Sequence, residues 1–194
     1  MTGSITNVRL AGVGGQGILV ASEVLCEALL AAGYDVKKSE VHGMAQRGGT
    51  VNSDVRFGAK VYSPVIPHGA VDLLVAFELM EALRYLPSLK AGGVVIANEQ
   101  RILPVAVASG KASYPCDVAA RLEQRARRVV LIDALEMAQK AGSSRAVNTC
   151  MLGVLSHFLD VPEEIWRAVL TARFRNRDPD ANLRAFAAGR AVSA

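Results

Sequence analysis

The chain has 194 residues, 51% hydrophobic and only 5% aromatic, and its 22 basic against 18 acidic residues leave a net charge of +4. That length and apolar content suit one domain, 1–194, with a buried core. The scarcity of rings speaks against nucleic acid as a partner, since single strands stack on exposed aromatics. The basic residues are dispersed except in RLEQRARR (121–128) and RFRNR (173–177), runs that read as solvated helix faces or as a surface for an acidic partner.

Cys26, Cys116 and Cys150 lie far apart and in odd number. Neither a disulfide framework nor a metal site is signalled, and a reducing cytoplasm is expected. The N-terminus lacks a basic n-region followed by an apolar h-region, and no apolar run is long enough to span a bilayer, so no membrane association is expected.

In chain order, residues 8–13 form an apolar run of strand length. ILVASEVLCEALLAAG then repeats apolar residues at helical spacing until Gly33 stops it. YDVKKSEV (34–41) reads as a second strand, completing a β-α-β unit with a right-handed crossover. TVNSDVRFG (50–58) alternates as a half-exposed strand does, and FGAKV reads as a tight turn into another strand. VDLLVAF (71–77), GGVVIAN (92–98) and RVVLIDA (128–134) are continuous apolar runs of the kind found in buried parallel strands. ELMEALRYL is a helix ended by Pro87, and DVAARLEQRAR is another. The last third reads as helical, with Pro162 and Pro179 at first-turn positions. The expectation is a three-layer α/β/α fold with a mainly parallel sheet, a β-hairpin excursion around residues 50–63 and a helical C-terminal end.

The turn between the first strand and its helix is GVGGQG (12–17). In parallel α/β sheets ligands gather beyond the carboxyl ends of the strands, where a helix N-terminus offers free N–H groups to an anion. Gly12, Gly14 and Gly17 match the spacing of a dinucleotide fingerprint, but such glycines also serve simply to let a helix pack closely on a sheet. A NAD(P)-binding reading needs an acidic residue about 20 positions on, and Glu40, 23 positions after Gly17, keeps it open. Directly after Glu40, however, His42, Gln46 and Arg47 crowd among Gly43, Gly48 and Gly49, where a dinucleotide fold has an ordinary helix. These are residue types that bind a carboxylate or diphosphate.

Together, GVGGQGILVAS (12–22) and SEVHGMAQRGGTVNSDVR (39–56) resemble the hallmark stretches of the gamma domain of 2-oxoacid:ferredoxin oxidoreductases, in particular of the small (beta) subunits of the indolepyruvate group. The similarity continues through residues 66–98 and RAVNTCMLGVLS (145–156), which is nearly the whole chain. The resemblance implies a complete enzyme that converts an arylpyruvate and coenzyme A into an acyl-CoA and carbon dioxide, passing two electrons to ferredoxin. It places thiamine diphosphate, its magnesium and the [4Fe–4S] clusters on a separate large subunit. This chain agrees in having no cysteine cluster and no G-D-G…N-N stretch. It is therefore expected to bind no cofactor or metal by itself, to be silent alone, and to work in a hetro-oligomer that reaches ferredoxin through the complex.

In that picture Gly14, Gly15, Gln16 and Gly17 converge with Gln46, Arg47, Gly48 and Gly49 on the partner's cofactor and on the oxoacid or coenzyme A. Arg47 pairs with a carboxylate or phosphate, Gln16 and Gln46 orient it, and Glu40 and His42 give polar support or carry a proton. Asn148 is either a buried amide satisfied by backbone or a second site residue, and Glu78 either a helix-starting carboxylate or a ligand group. The alternatives left open are that the loops form only a subunit joint, that the substrate is pyruvate, 2-oxoglutarate or a branched-chain oxoacid, that the chain is a scaffold, and that it is a free-standing NAD(P)-binding protein.

Overall fold

The structure is a computed structural model that describes residues 5–43 and 49–193. Six strands form a sheet in the order β2-β3-β1-β4-β5-β6. β1 (Thr6–Val13), β4 (Val71–Ala76), β5 (Leu89–Asn98) and β6 (Arg128–Ile132) run parallel. β3 (Thr50–Gly58) lies antiparallel between β1 and the edge strand β2 (Asp35–His42).

The strands alternate their side chains between two apolar layers. On one face Val8, Leu10, Val55, Val75 and Ile96 pack against α1 (Ile18–Ala31), α5 (Ala134–Lys140), α6 (Val147–Leu155), α7 (Glu163–Phe174) and α8 (Pro179–Arg190), with Trp166 and Phe186 fully buried among them. On the other, Ala11, Leu74, Val95 and Ala97 meet α2 (Leu79–Tyr85) and α4 (Val118–Glu123). A short helix, α3 (Val105–Ala108), follows β5. The three layers, the buried parallel strands and the helical end agree with the sequence reading. Pro179 does stand in the first turn of α8, while Pro162 sits one place earlier, as the N-cap of α7. Among the described residues no helix is long and apolar enough to cross a membrane.

Two local expectations are corrected. Residues 50–58 are not half of an excursion but an interior strand, and no strand follows Gly58 before β4. The segment after Gly58 is held by side chains instead: Arg56 donates to the carbonyls of Ser63 and Val65, both at 2.8 Å, and Asp35 accepts from the Val61 N–H at 2.9 Å. With these groups met by side chains and most of the remaining segment open to water, no ladder is needed. Further, β2 is not the neighbour of β1, because β3 is inserted between them.

The alternation in β3 suggested one wet face, yet Asn52 and Asp54 are buried. They lie in a polar lane across β1 and β3. Arg9 grips Asp54 through Nε and Nη2, both at 2.7 Å, and its guanidinium lies 5.4 Å from the centre of the Tyr85 ring. The Tyr85 hydroxyl donates to Asn52 at 3.0 Å, and Arg56 donates to Asn7 at 2.8 Å. Every hydrophilic side chain on this face of β3 thus has a partner, which is what makes its burial tolerable.

Removing one member of a buried ion pair leaves the other uncompensated and typically costs about 3–5 kcal/mol. Asp54→Ala should therefore lower the urea midpoint by a corresponding amount without changing the slope of the transition. A shift under about 1 kcal/mol, the range of a surface pair, would show that the lane does not hold β3 in place.

Candidate functional site

β1, β2, β4, β5 and β6 all end at one edge of the sheet, and the loop of residues 14–17 stands there. Gly17 is the N-cap of α1 in the left-handed region, at φ 76°, with no side-chain cap on the helix and no acidic residue in its first turn. The uncapped N–H groups and the dipole of this 14-residue helix favour an anion at that end. Gly15, at φ 103°, has no neighbour within 4 Å of where a Cβ would stand, so the tip of the loop is bare backbone.

Gln16 faces inward. Its Oε1 accepts from the Val13 N–H at 2.7 Å, while Nε2 donates to the Phe77 carbonyl at 2.8 Å and to Gln100 Oε1 at 3.0 Å. Asn98 continues the chain of amides: its Nδ2 reaches the Phe77 carbonyl at 3.3 Å, and its Oδ1 accepts from the Ala134 N–H at 3.0 Å. The ends of β1, β4, β5 and β6 are tied together by three side-chain amides. Through these bonds the Gln16 amide holds the loop, and the residue also lines a cleft at this edge.

Asn148, near the start of α6, donates to the Gly17 carbonyl at 3.0 Å. It is satisfied by backbone, and it lines a cleft of about 370 Å³ with Gly15, Gln16, Gly17, Gln100 and Arg145. Arg145 is exposed and has no ion pair among the described residues. A bare helix N-terminus facing an unpaired guanidinium suits a carboxylate or a phosphate.

The second glycine stretch begins and ends at the same place. Gly14 N–H donates to the Gly49 carbonyl and Gly43 N–H to the Thr50 carbonyl, each at 2.9 Å. Gln46, Arg47 and Gly48 lie outside the described residues; of His42, the backbone pairs with Val51 across the β2–β3 ladder. Glu40 is ion-paired with Lys38 at 2.5 Å and sits on the edge strand, with β3 between it and β1. A dinucleotide fold takes its ribose-binding acid from the strand beside β1, so this topology does not supply the NAD(P) geometry.

Glu78 is the helix-starting carboxylate. It is almost fully buried, and it accepts from the Glu81 N–H at 3.0 Å, the Ile102 N–H at 3.1 Å and the Tyr114 hydroxyl at 2.6 Å. Burial, and then the bond to Glu78, pushes the Tyr114 hydroxyl well above its ordinary range. Behind it, burial also raises the carboxyl of Glu81. This cluster clasps the segment after β5 to α2.

The residues do not fit an iron–sulfur cluster. Among the described residues no three His, Cys, Asp or Glu side chains are grouped to hold a metal. Burial pushes the Cys26 thiol up to about 11 and the Cys150 thiol up to about 12, which keeps both protonated where a ligand must be a thiolate. Sequence reasoning had no hold on Arg145, Gln100 or Asn98. The polar NEQ after the apolar run of β5 was the one available sign of the last two.

Two measurements test this geometry. A Cβ on Gly17 would stand 2.3 Å from Asn148 Nδ2. Gly17→Ala should destabilise through that clash and through the left-handed backbone, which alone costs about 1–2 kcal/mol. Asn148→Ala should relieve only the clash, giving a coupling of about 0.5–3 kcal/mol in a double-mutant cycle; strict additivity would disprove the contact. On the native protein at pH 8, Ellman's reagent should titrate the exposed Cys116 first, and Cys26 and Cys150 only on unfolding. Equal rapid reaction of all three would contradict the burial that raises the two thiols.

Comparison with known proteins agrees with this architecture. Residues 7–192 match the family model described as pyruvate ferredoxin/flavodoxin oxidoreductase. The indolepyruvate oxidoreductase subunit IorB of Thermococcus kodakarensis is 41% identical over 94% of this chain and 93% of its own. The fold is similar to the keto/oxoacid ferredoxin oxidoreductase gamma subunit of Geobacter sulfurreducens, with TM-score 0.70, 21% identity, and 95% of each chain covered. It is also similar to part of the 2-oxoglutarate:ferredoxin oxidoreductase of Magnetococcus marinus, solved with 2-oxoglutarate, coenzyme A and succinyl-CoA bound, with TM-score 0.77 and 22% identity, covering 96% of this chain and 30% of that one. The chain belongs to the pyruvate ferredoxin/flavodoxin oxidoreductase family.

Proposed function

We propose that this chain is the small subunit of an indolepyruvate-type 2-oxoacid:ferredoxin oxidoreductase, acting in the cytoplasm as one domain of a hetero-oligomer. The reaction is 2-oxoacid plus coenzyme A plus two oxidised ferredoxins giving acyl-CoA, carbon dioxide, two reduced ferredoxins and a proton. The observation that carries this reading is the meeting of two glycine stretches, an uncapped helix N-terminus and Arg145, which has no ion pair among the described residues, at one sheet edge. The 41% identity to an indolepyruvate oxidoreductase subunit along almost the whole chain supports the same assignment.

Thiamine diphosphate and the iron–sulfur clusters, held by the large subunit, supply the decarboxylation and the route for electrons. The part of this chain is to bind and enclose. The first turn of α1, the bare amides around Gly15 and the cations Arg145 and Arg47 take a carboxylate or phosphate of the oxoacid or coenzyme A. Gln16 keeps the loop in shape, while Gln46, Gly48 and Gly49 complete the wall, and Glu40 and His42 support it. In contrast to a free-standing enzyme, the chain is inactive alone.

A second role, as the joint with the large subunit, is favoured by one observation. Val41, Leu103, Val105 and Leu135 are large apolar side chains exposed at or beyond the strand ends of the same edge. An exposed apolar set of this kind marks an interaction surface.

The test is co-expression with the large subunit. Removing a hydrogen-bonded charge from a buried polar contact costs about 2–5 kcal/mol, so Arg47→Gln should lower kcat/KM for oxoacid or coenzyme A by about 30-fold or more in a complex that still co-purifies. Unchanged kinetics would remove Arg47 from the site, and loss of co-purification would assign the loop to the joint. Saturable NAD(P)H binding by the isolated chain would sink the function itself.

A further inference from the structure

We propose that the cleft on the far side of Asn148 from the glycine loop is a phosphate site, taking a phosphate ester of nucleotide size. This inference does not depend on the function proposed above. The cleft, of about 600 Å³, opens between the first turn of α1, the N-terminus of α6 and the turn joining α7 to α8, a volume within the range of small-molecule sites.

The cleft gives a purpose to the RFRNR run. Arg173, at its start, is committed to Glu23 and Glu27 on α1. Arg177, at its end, lines the cleft and has no ion pair among the described residues. Arg145, equally unpaired, lines it from the side of α6 and is shared with the glycine-loop cleft. The acid in the lining, Asp178, is already engaged, with Oδ1 accepting from the Ala181 N–H at 3.0 Å to cap α8. Two guanidiniums against one committed carboxylate leave an excess of positive charge that suits a dianion better than a single carboxylate.

The wall carrying Arg177 is pre-formed. Asp178 is held at φ 57°, a left-handed conformation that a non-glycine residue keeps only when its surroundings impose it. Asn182 imposes it, donating to the Asp178 carbonyl at 2.9 Å while its own Oδ1 accepts from Thr149 on α6 at 2.8 Å. The same buried amide therefore ties the α7–α8 turn to the helix that begins beside Arg145. A rigid, cation-lined cleft needs little reordering to accept its ligand.

The probe is inorganic pyrophosphate, titrated calorimetrically into the full-length chain. Saturable one-to-one binding is expected. Arg145→Gln and Arg177→Gln should each weaken it about tenfold or more, the usual loss for a hydrogen bond to a charged group. Arg175→Gln, in the same run but outside the lining, should leave it unchanged. Absence of saturation at millimolar pyrophosphate, or an equal loss in the Arg175 variant, overturns the proposal. Unchanged binding in the Arg177 variant does so too, since it moves the anion to the glycine-loop cleft. Displacement by adenosine 3′,5′-bisphosphate but not by ADP traces the phosphate to coenzyme A, whereas displacement by ADP traces it to a free nucleotide.

Discussion

The glycine loop owes its shape to the inward turn of Gln16. A glutamine amide is a strong donor and acceptor that water would satisfy on the surface, so turning it in beneath a loop, where it is partly buried, favours replacing those bonds. Val13, Phe77 and Gln100 do this, and three consequences follow. The amide needs room, and a Cβ on Gly12 would stand 2.7 Å from Gln16 Oε1. The loop is pinned to β1, β4 and the end of β5 together, so its tip presents backbone alone. Through Gln100 and Asn98 the same network reaches the start of α5, and the edge of the sheet behaves as one piece.

The second constraint is the insertion of β3. Because it runs antiparallel beside β1, its first residue, Thr50, pairs with the last residue of β1, Val13. The stretch leading into β3 is thereby brought to the carboxyl edge, next to the loop that follows β1. A parallel β2 in that place would have left the two glycine stretches apart and Glu40 within reach of a ribose. The insertion demands that β3 be buried while carrying Asn52, Asp54 and Arg56, and the lane formed with Asn7, Arg9 and Tyr85 makes that possible. Topology at the site therefore rests on polar pairing at the far end of the same strands.

Much of this was legible in the residues. Continuous apolar runs at 71–77, 92–98 and 128–134 announced parallel strands covered on both faces, because only such strands have no wet side to mark. The glycine turn was legible too, since GVGGQG stands directly between an apolar run of strand length and one of helical spacing. The destination of β3 was not legible. An alternating strand with charges on one face reads as half-solvated, and nothing local reveals that Arg9, 45 positions away, comes to meet Asp54.

The linear sequence thus determined the elements, the glycine turn and, through two motifs taken together, the family, because each depends on residues within a few positions of one another. Strand order, the inward role of Gln16 and the placing of Arg145 on the same cleft as the glycine loop were decided only in three dimensions. So was the second cleft, which Arg145 and Arg177 both line. These features depend on which groups, distant in the chain, the fold brings side by side, and in the interior on the rule that few hydrogen bonds be left unmade.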